Sequence, residues 1–483
     1  MYLFGLIAYL FLMVVIGYFA SRKVKSSDDY LVAGRGLSLP VLVGTLTAGW
    51  LGAGTVVGYA SIGYNNGFGA LWWAVGGLSG ALIIVIMAKK LRAIAKYTVP
   101  DLLELRFSPL ARILGAIPII LAFTAIVGYQ MKAVGYVLEV IMNIDARTGL
   151  IIGAFVVIAY TVAGGMISVA YTDVAQYVLL IVGLIIATPI AFKAAGGFAG
   201  WNETLPVTHF EPTGGLGIIG ALAVLLPFFM LATVDQNLYQ RMFSAESAKT
   251  AKKGAIIALI SASFVMVMVF FISLSSRSLF PNIKGDLAVY TVATDLLNPV
   301  LGTVLLIAVL SIIMSTSDSY LLSPATNIVK DIYVRFMKPE ASDRSILLQT
   351  RIWVVILGVL ALSGALWFET VLQYAMVAYT IYGAGVFFPI VTSFFWKGAT
   401  NAGAVSAIIG GTISTIVWEF FITSTIPTIY IGGTTSLVLL IAVSLVTKHA
   451  ASEDIDLFIR DAKEDVEETI EEKTTIIPGS LVE

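Results

Sequence analysis

Side chains with oxygen atoms are grouped in the stretch "IIMSTSDSYLLSPATN" (residues 312–327), inside an otherwise apolar segment. On a helix, Ser315, Thr316 and Ser319 share one face, and Asp318 lies at its flank. Any single hydroxyl could bond to the carbonyl one turn before it, but this explains neither the clustering nor the carboxylate. An ionisable group within a membrane helix usually marks an ion pathway or a buried pair. Hydroxyl, carbonyl and carboxylate oxygens suit a hard cation, so the stretch predicts a sodium site.

A second polar feature is the glycine-rich break "TAGWLGAGTVVG" in the apolar segment 39–63. Unwinding near residues 48–51 would free main-chain carbonyls that normally accept hydrogen bonds within the helix. Irregular backbone at membrane depth is tolerated only where it is buried in protein or lines a cavity. We therefore expect this break to supply the ligands that the oxygen-rich stretch lacks. Trp50 lies within it and is a candidate for a substrate pocket.

Three other polar groups permit two interpretations each. In "GGMISVAYTDVAQ", Asp173 follows a Gly-Gly turn, where it could cap a helix or serve a site. In "VDQNLYQRMF", Arg241 could hold a loop or a gate by a charged hydrogen bond. Lys132 could extend to the membrane interface, or Gln130 or Lys132 could lie near the carboxylate of an anionic substrate.

The composition indicates the kind of element that must position these groups. The chain has 483 residues, of which 58% are hydrophobic and 12% charged, and its mean hydropathy is +0.93. Soluble domains carry about 25% charged residues, so the chain is predicted to be an all-α polytopic membrane protein. A net charge of −1 gives no indication of a nucleic-acid partner. The absence of cysteine and of any nucleophile–base pair argues against an enzyme.

About thirteen apolar segments are long enough to span a membrane. The basic loops that follow the first, third, seventh and ninth segments all fall on one side, which predicts a cytoplasmic face, with the N-terminus outside and the C-terminus inside. Residues 1–447 form the predicted transporter domain, and residues 448–483 form an acidic tail. The segments are 1–20, 39–63, 68–88, 111–142, 148–164, 173–195, 215–238, 254–275, 297–332, 349–366, 368–396, 402–424 and 428–447.

Two interrupted segments indicate an internal duplication. The second segment contains the glycine-rich break, and the seventh contains Pro227 in "LLPFFMLATVDQ". Four segments separate them, so units 39–195 and 215–396 would be five-helix repeats of inverted orientation. Interrupted helices at matching positions of two halves indicate a transporter's binding site, although glycine and proline are also common in membrane helices generally.

Several motifs together resemble the sodium:solute symporter family, which includes sodium–proline, sodium–galactose, sialic acid and pantothenate symporters. They occur in family order from residue 27 to about residue 412. The resemblance implies thirteen helices, two inverted five-helix repeats, alternating access and Na+ as the coupling ion. The motifs are "SSDDYLVAGRGLS", "KYTVPDLLELRF", "GGMISVAYTDVAQ", "DQNLYQRMFSAESA", "MSTSDSYLLSPATNIVKDIY" and "FFWKGATNAGAVSAIIGG".

The resemblance also implies two cation sites. The main sodium site would use main-chain oxygens of the broken helix and both main-chain and side-chain oxygens of the ninth helix. A second site, present in some members, would use the aspartate of the "TD" motif and hydroxyls one turn along the ninth helix. The matching residues are Ala48, Leu51, Ile312, Ser315 and Thr316 for the main site, and Asp173, Ser315, Asp318 and Ser319 for the second.

The chain departs from the family pattern at the second site and at the substrate. Several members have serine where Asp318 stands, so this carboxylate could strengthen a cation site or accept a proton. Trp50 replaces the acidic residue of the proline transporters, and Gly54 and Thr55 replace the acid and amide that bind galactose. The substrate pocket is therefore expected around Trp50, Gly54, Thr55, Gln130 and Leu231.

The sequence thus predicts a sodium-coupled symporter of a small organic solute, with a monocarboxylate or an amino acid favoured. We expect it to act as a monomer in the plasma membrane, with the lipid bilayer and the solute as partners. Proton coupling is the main alternative. A channel would need a continuous polar pore where the sequence has separate polar groups, and a sensor would need an output domain.

Overall fold

The computed structural model describes residues 2–22, 26–94, 96–447 and 458, and these residues are almost entirely helical. Within them, strand-like pairing is limited to one bridge between Leu37 and Ala245. The α-helices are α1 (Tyr2–Ser21), α2 (Ser27–Val32), α3 (Leu39–Ala48), α4 (Ala60–Asn66), α5 (Leu71–Ile94), α6 (Val99–Arg106), α7 (Pro109–Met142), α8 (Ala146–Ala194), α9 (Gly197–Thr204), α10 (Gly217–Val234), α11 (Gln236–Ser244), α12 (Ala248–Leu279), α13 (Ala288–Thr291), α14 (Pro299–Thr326), α15 (Asp343–Trp367), α16 (Val371–Tyr382), α17 (Phe388–Phe395), α18 (Asn401–Phe421) and α19 (Thr428–Val446).

Tighter and wider helical turns connect several of these helices. Short 3₁₀ turns cover Ala33–Arg35, Gly67–Ala70, Val207–Phe210 and Gly285–Leu287, and π-type turns cover Gly54–Tyr59, Val292–Leu296, Asn327–Met337 and Gly383–Phe387. In the described chain, eleven helical stretches are long and apolar enough to cross a membrane, and Leu39–Ala48 and Ala146–Ala159 are shorter apolar helices. The prediction of an all-helical polytopic protein is confirmed.

One sequence boundary differs from the structure at the Gly-Gly pair. The sequence suggested a turn there and a new helix opening near Asp173, but α8 continues through this region with a kink at Gly165. Gly165 has a φ of 70°, which glycine adopts without steric cost. A Cβ at this position would lie 2.4 Å from the ring of Tyr30. Asp173 therefore lies inside the second half of α8 and does not cap a helix.

The break in the first interrupted helix lies where the glycines predicted it. Helix α3 ends at Ala48, and helical structure resumes with the π-type turns Gly54–Tyr59 and then α4. The intervening backbone remains buried, and Gly49 and Gly52 approach neighbouring side chains too closely for a Cβ. Buried irregular backbone of this kind requires partners from other helices.

The second interruption lies eight residues beyond the proline that suggested it. Pro227 is inside α10, and the helix ends at Val234, so the break falls at Asp235. The Asp235 side chain accepts hydrogen bonds from the backbone N–H groups of Asn237 and Leu238 and thereby caps α11. A carboxylate that satisfies two free N–H groups stabilises a helix start, whereas the proline is accommodated within α10.

Helix α14 lies at the centre of the molecule. Its residues from Ala308 onward are almost all buried, and it packs against α7 and α8. An apolar helix buried on all sides must satisfy its polar side chains through other protein groups. The hydroxyls and the carboxylate of this helix therefore face neighbouring helices and not lipid.

Candidate functional site

The end of α3 meets the centre of α14 at the hydroxyl of Thr316. Its Oγ1 donates to the main-chain oxygen of Ala48 at 3.1 Å and to that of Ile312, one turn earlier on its own helix, at 3.0 Å. Leu51 follows in the break and is fully buried. Neutral carbonyl and hydroxyl oxygens gathered at a helix break suit a monovalent hard cation.

A second polar cluster surrounds Asp173. Its carboxylate accepts hydrogen bonds from Ser315 Oγ at 2.7 Å, from Arg241 Nη2 at 3.1 Å and from the Thr45 hydroxyl. The same Nη2 atom donates to Ser319 Oγ at 2.6 Å. Asp173 and Ser319 are thus held by one guanidinium group, and Ser315 contacts Asp173.

Asp318 is turned away from this guanidinium. Its Oδ1 accepts a hydrogen bond from Thr161 Oγ1 at 2.8 Å, and its Oδ2 has no hydrogen-bond partner among the described residues. The side chain is 1% exposed, so the carboxyl group is buried with one donor. The structure therefore separates Asp318 from Asp173 and Ser319 in its immediate contacts. Thr161, an isolated hydroxyl in an apolar segment, was not singled out from the sequence.

Arg241 connects more elements than its sequence context indicated. Its Nε donates to the main-chain oxygen of Thr45 at 2.8 Å and to Thr45 Oγ1 at 2.9 Å. Its Nη1 donates to the Asn237 carbonyl at 3.2 Å and to the Asn237 side chain. Asn237 in turn donates from Nδ2 to the Gly49 carbonyl at 2.6 Å. This fully buried guanidinium joins α3, α8, α11 and α14.

Gln130 contacts the first break at Ala53 and Gly52. Its Oε1 accepts from the backbone N–H of Ala53 at 2.7 Å, which fixes the orientation of the amide. Its Nε2 lies 2.1 Å from a Cβ built on Gly52, and the Cβ of Thr316 lies 2.8 Å from the same point. The structure thus brings Gln130 and Thr316 together across Gly52.

Aromatic rings enclose the next turn of the broken helix. A Cβ on Gly54 would lie 2.4 Å from the hydroxyl of Tyr379, 3.3 Å from that of Tyr129 and 3.6 Å from Cζ2 of Trp73. Phe228 packs against both Trp73 and Tyr379, with ring centroids 4.9 and 5.4 Å apart. These four rings, Trp73, Phe228, Tyr129 and Tyr379, are called the aromatic wall below. The sequence did not indicate it, because its members are distant in the chain.

The other predicted pocket residues have different positions. The ring of Trp50 stacks on Phe228 at 5.7 Å, so Trp50 extends the aromatic wall. Thr55 is buried beside Gly54, and Leu231 is buried one turn after Phe228 on α10. Lys132 donates from Nζ to the main-chain oxygen of Phe368 at 2.8 Å. Lys132 therefore holds a loop, whereas Gln130 reaches the break.

An ion-pair network lies at the end of the bundle where the basic loops occur. Arg112 pairs with Asp101, Glu104 and Asp331 at distances of 2.6, 2.6 and 2.7 Å, and Glu104 also pairs with Arg335 at 2.6 Å. We call these five residues the ion-pair network. Although burial acts to raise it, hydrogen bonds from Arg335 and Arg112 hold the pKa of the Glu104 carboxyl below its ordinary value.

Amide side chains link this network to the second helix break. Gln236, directly after Asp235, accepts from the backbone N–H of Val99 at 3.1 Å and donates to Asn327 Oδ1 at 2.7 Å. Asn327 Nδ2 donates to Asp331 at 2.8 Å. The hydrogen bonds therefore continue from the second break to the ion-pair network.

Two interrupted helices that meet a buried polar helix within a bundle of membrane-length helices are the arrangement of a secondary transporter. A family model described as the sodium:solute symporter family matches residues 30–411. The chain belongs to this family, and the resemblance stated from the motifs is confirmed.

Similar proteins come from several bacteria. The osmoregulated proline transporter OpuE of Bacillus subtilis is 26% identical over 471 residues, which cover 93% of this chain and 96% of that protein. The sodium/proline symporter of Escherichia coli is 29% identical over 441 residues, which cover 86% of each chain. These relatives are transporters, so this chain is a transporter and not an enzyme.

Solved structures share the fold. A Na+-coupled sialic acid symporter in a substrate-bound outward-open state has a TM-score of 0.80 and 20% identity, with 93% of this chain and 99% of that chain covered. The nucleobase-cation-symport-1 family transporter Mhp1, in a closed conformation, has a TM-score of 0.61 and 11% identity, with 89% and 97% covered. Family and apolar helices together identify a multi-pass protein of the plasma membrane, for which the family implies a solute and Na+ as transported species.

Proposed function

We propose that this chain is a sodium-coupled symporter that carries a small organic solute, a monocarboxylate or an amino acid, by alternating access. The observation that carries the proposal is the hydroxyl of Thr316 between the carbonyls of Ala48 and Ile312. It brings together neutral oxygens from a broken helix and from the central helix. The family supports sodium as the coupling ion.

We assign the cation ligands as the motifs indicated. The main site comprises the main-chain oxygens of Ala48, Leu51 and Ile312 with the hydroxyls of Ser315 and Thr316. Asp173, Asp318 and Ser319 are assigned to a second cation site, which requires Arg241 to release Asp173 and Ser319 and Asp318 to turn from Thr161 toward them. The solute would bind beside the break, where Trp50, Gly54, Thr55, Gln130 and Leu231 are the assigned residues.

The mechanism follows from which helices the ion would connect. A sodium ion bound by oxygens of α3 and α14 holds the first break against the central helix and completes the pocket beside Gln130. The ion-pair network keeps the end of the bundle that carries the basic loops closed until sodium and the solute are both bound. Coupling then requires a difference in sodium affinity between the two states, because equal affinity shifts no equilibrium.

The proposed topology has thirteen helices in a five-plus-five inverted repeat. It counts α3 with α4 as one interrupted helix and divides α8 at Gly165. The repeats are residues 39–195 and 215–396, and the breaks at residues 49–53 and at Asp235 support this pairing. The N-terminus would lie outside and the chain would act as a monomer, with no nucleic-acid partner. The acidic tail, residues 448–483, would lie in the cytoplasm; apart from Phe458 it lies outside the described residues.

Proton coupling is the second candidate, and one observation favours it. The buried Asp318 carboxyl has an oxygen without a partner in the described chain, where a proton would remove the cost of an unpaired charge.

Uptake into proteoliposomes separates these candidates. Sodium and proton gradients are imposed separately, and accumulation of a panel of labelled carboxylates and amino acids is measured. We expect sodium-driven accumulation of at least one solute. Accumulation that follows a proton gradient and ignores sodium would establish the second candidate and overturn sodium coupling.

A further inference from the structure

Three buried N–H donors around the first break lack an acceptor. Trp50 Nε1, Trp73 Nε1 and Gln130 Nε2 have no hydrogen-bond partner among the described residues. An unsatisfied buried donor costs about 1–3 kcal/mol, and each such group in a native structure calls for an explanation. Trp50 lies in the break, Trp73 belongs to the aromatic wall, and Gln130 contacts the break at Ala53 and Gly52.

The position of the Gln130 donor indicates what would satisfy it. Its Oε1 is committed to the Ala53 N–H at 2.7 Å, so its NH₂ group remains free for a ligand. The NH₂ nitrogen and the Cβ of Thr316 lie 2.1 and 2.8 Å from the same Cβ position on Gly52. A ligand oxygen on this NH₂ group would therefore lie beside the residue proposed to bind sodium. A negative charge there is attracted by the ion, so each would raise the affinity of the other.

The described contacts of the break supply no free counter-charge to an ammonium group. The three atoms nearest a Cβ on Gly52, and the three nearest a Cβ on Gly54, include no carboxylate oxygen. Asp235 is near enough to interact electrostatically with Tyr129 and Tyr379, but it already accepts from Tyr320, Asn237 and Leu238. Burying an unpaired ammonium is costly, and three N–H donors would repel it.

Stacking among the rings covers part of the ring surface that a cation would need. An aromatic cage binds a quaternary ammonium through open ring faces. Here Phe228 stacks with both Trp50 and Tyr379, with ring centroids 5.7 and 5.4 Å apart. Faces that cover one another are not available to a cation. The rings instead provide apolar contact for a short hydrocarbon body.

We propose that the solute is a small monocarboxylate without an amino group, whose carboxylate accepts a hydrogen bond from the Gln130 amide, with the Trp50 and Trp73 indoles as further candidate donors around the break. This inference rests on the proposed function and narrows its substrate class. Carboxylate acceptors make stronger hydrogen bonds than neutral ones, which favours the acid over its amide. Amino acids would bind more weakly than the corresponding acid because their ammonium group remains unpaired.

The test measures thermal stabilisation of the purified full chain by matched four-carbon ligands. Butyrate, butyramide, 2-aminobutyrate and n-butylamine are titrated in NaCl and separately in KCl, with proline and glycine betaine as further arms. We expect butyrate to stabilise the protein in NaCl at a concentration about tenfold lower than any of the others, and this preference to weaken in KCl. Equal or tighter binding of 2-aminobutyrate, proline or glycine betaine overturns the inference, as does a lack of response to butyrate.

Two variants test the assigned donors. Gln130→Glu keeps the acceptor for Ala53 and replaces the NH₂ group by an oxygen, so butyrate should bind about tenfold more weakly. Trp73→Phe removes an N–H group and keeps a ring, with a smaller loss expected. The control is Gln373→Glu, the same change at an exposed residue of α16, which should leave binding unchanged. Unaltered butyrate binding in both Gln130→Glu and Trp73→Phe would refute the assignment.

The same data distinguish the two levels of inference. If sodium stabilises the protein and amino acids bind in a sodium-dependent way, the symporter proposal stands and the monocarboxylate inference fails. If butyrate binds equally in NaCl and KCl and sodium has no effect of its own, sodium coupling fails while the solute class stands.

Discussion

The hydroxyl of Thr316 joins the end of the broken helix directly to the central helix. Among the described residues, its neighbour Ser317 donates only to Ile313 O on its own helix, at 2.7 Å. We expect Thr316→Ala to raise the sodium concentration for half-maximal uptake by about tenfold, because a ligand worth about 1–2 kcal/mol is lost. Thr316→Ser should retain most of the affinity. Ser317→Ala is the matched control, and an equal shift in both alanine variants would contradict the assignment.

Gly52 is the residue that lets Gln130 approach Thr316. A Cβ there would lie 2.1 Å from Gln130 Nε2, so Gly52→Ala should displace the amide and abolish uptake without preventing folding. Gly36→Ala is the control, since a Cβ at Gly36 has no neighbour within 4 Å in the described chain. Uptake is compared at equal amounts of monodisperse protein. Normal uptake by Gly52→Ala would show that this close approach is not required.

At the scale of elements, the ion-pair network holds α6 and α7 against the end of α14. We expect Asp331→Asn to increase the population of states open at this end, because Arg112 loses its fully buried partner. The chain has no cysteine, so Ser323→Cys provides a single buried reporter for maleimide labelling. Asp331→Asn should speed labelling about tenfold. Asp343→Asn, at an exposed position, should not, and equal labelling in both would contradict a gating role.

Glu104 gives the same network a predictable pH dependence. Its pKa lies below its ordinary value, so its ionised form stabilises the folded chain. That stabilisation is complete above about pH 4.3, the ordinary pKa of glutamate, and is lost as the pH falls through the lowered value. The difference in melting temperature between the native chain and Glu104→Gln should therefore be constant from pH 8 to about pH 5 and shrink only in stronger acid. A difference that vanishes near neutrality would contradict this.

At the scale of the whole molecule, we expect bound sodium to stabilise the fold because it connects the first break to α14. An ion that binds the folded chain but not the unfolded one contributes about 2.7 kcal/mol at a concentration one hundred times its Kd. We expect the melting temperature to rise with NaCl but not with KCl at equal ionic strength. At the same NaCl concentration, the rise should fall to about half in Thr316→Ala, for which we expect about tenfold weaker sodium binding, and be kept in Ser317→Ala. A rise of equal size with both salts would argue against a specific site.

The sequence was informative where the signal is local. Apolar runs predicted the helices, glycines predicted the first break, and helical spacing grouped Ser315, Thr316 and Ser319. It failed where a feature depends on distant partners. The second break follows from capping by Asp235 and not from Pro227, and the Tyr129–Tyr379 contact joins residues 250 positions apart. Asp173 resembled a helix cap because its partners, Thr45, Ser315 and Arg241, lie on three other elements.

The guanidinium of Arg241 carries the same unit charge as a sodium ion, and it donates hydrogen bonds to two residues that we assign as cation ligands. Its Nη2 atom donates hydrogen bonds to both Asp173 and Ser319. Because it is attached to the chain, it competes with a free cation for these oxygens at any external salt concentration. A free ion could take these oxygens only after this side chain withdraws, as it would if α11 moved. Exchange of one cation for the other would leave the charge of the cluster unchanged. Occupancy of the second site would then depend more on the position of α11 than on the external sodium concentration.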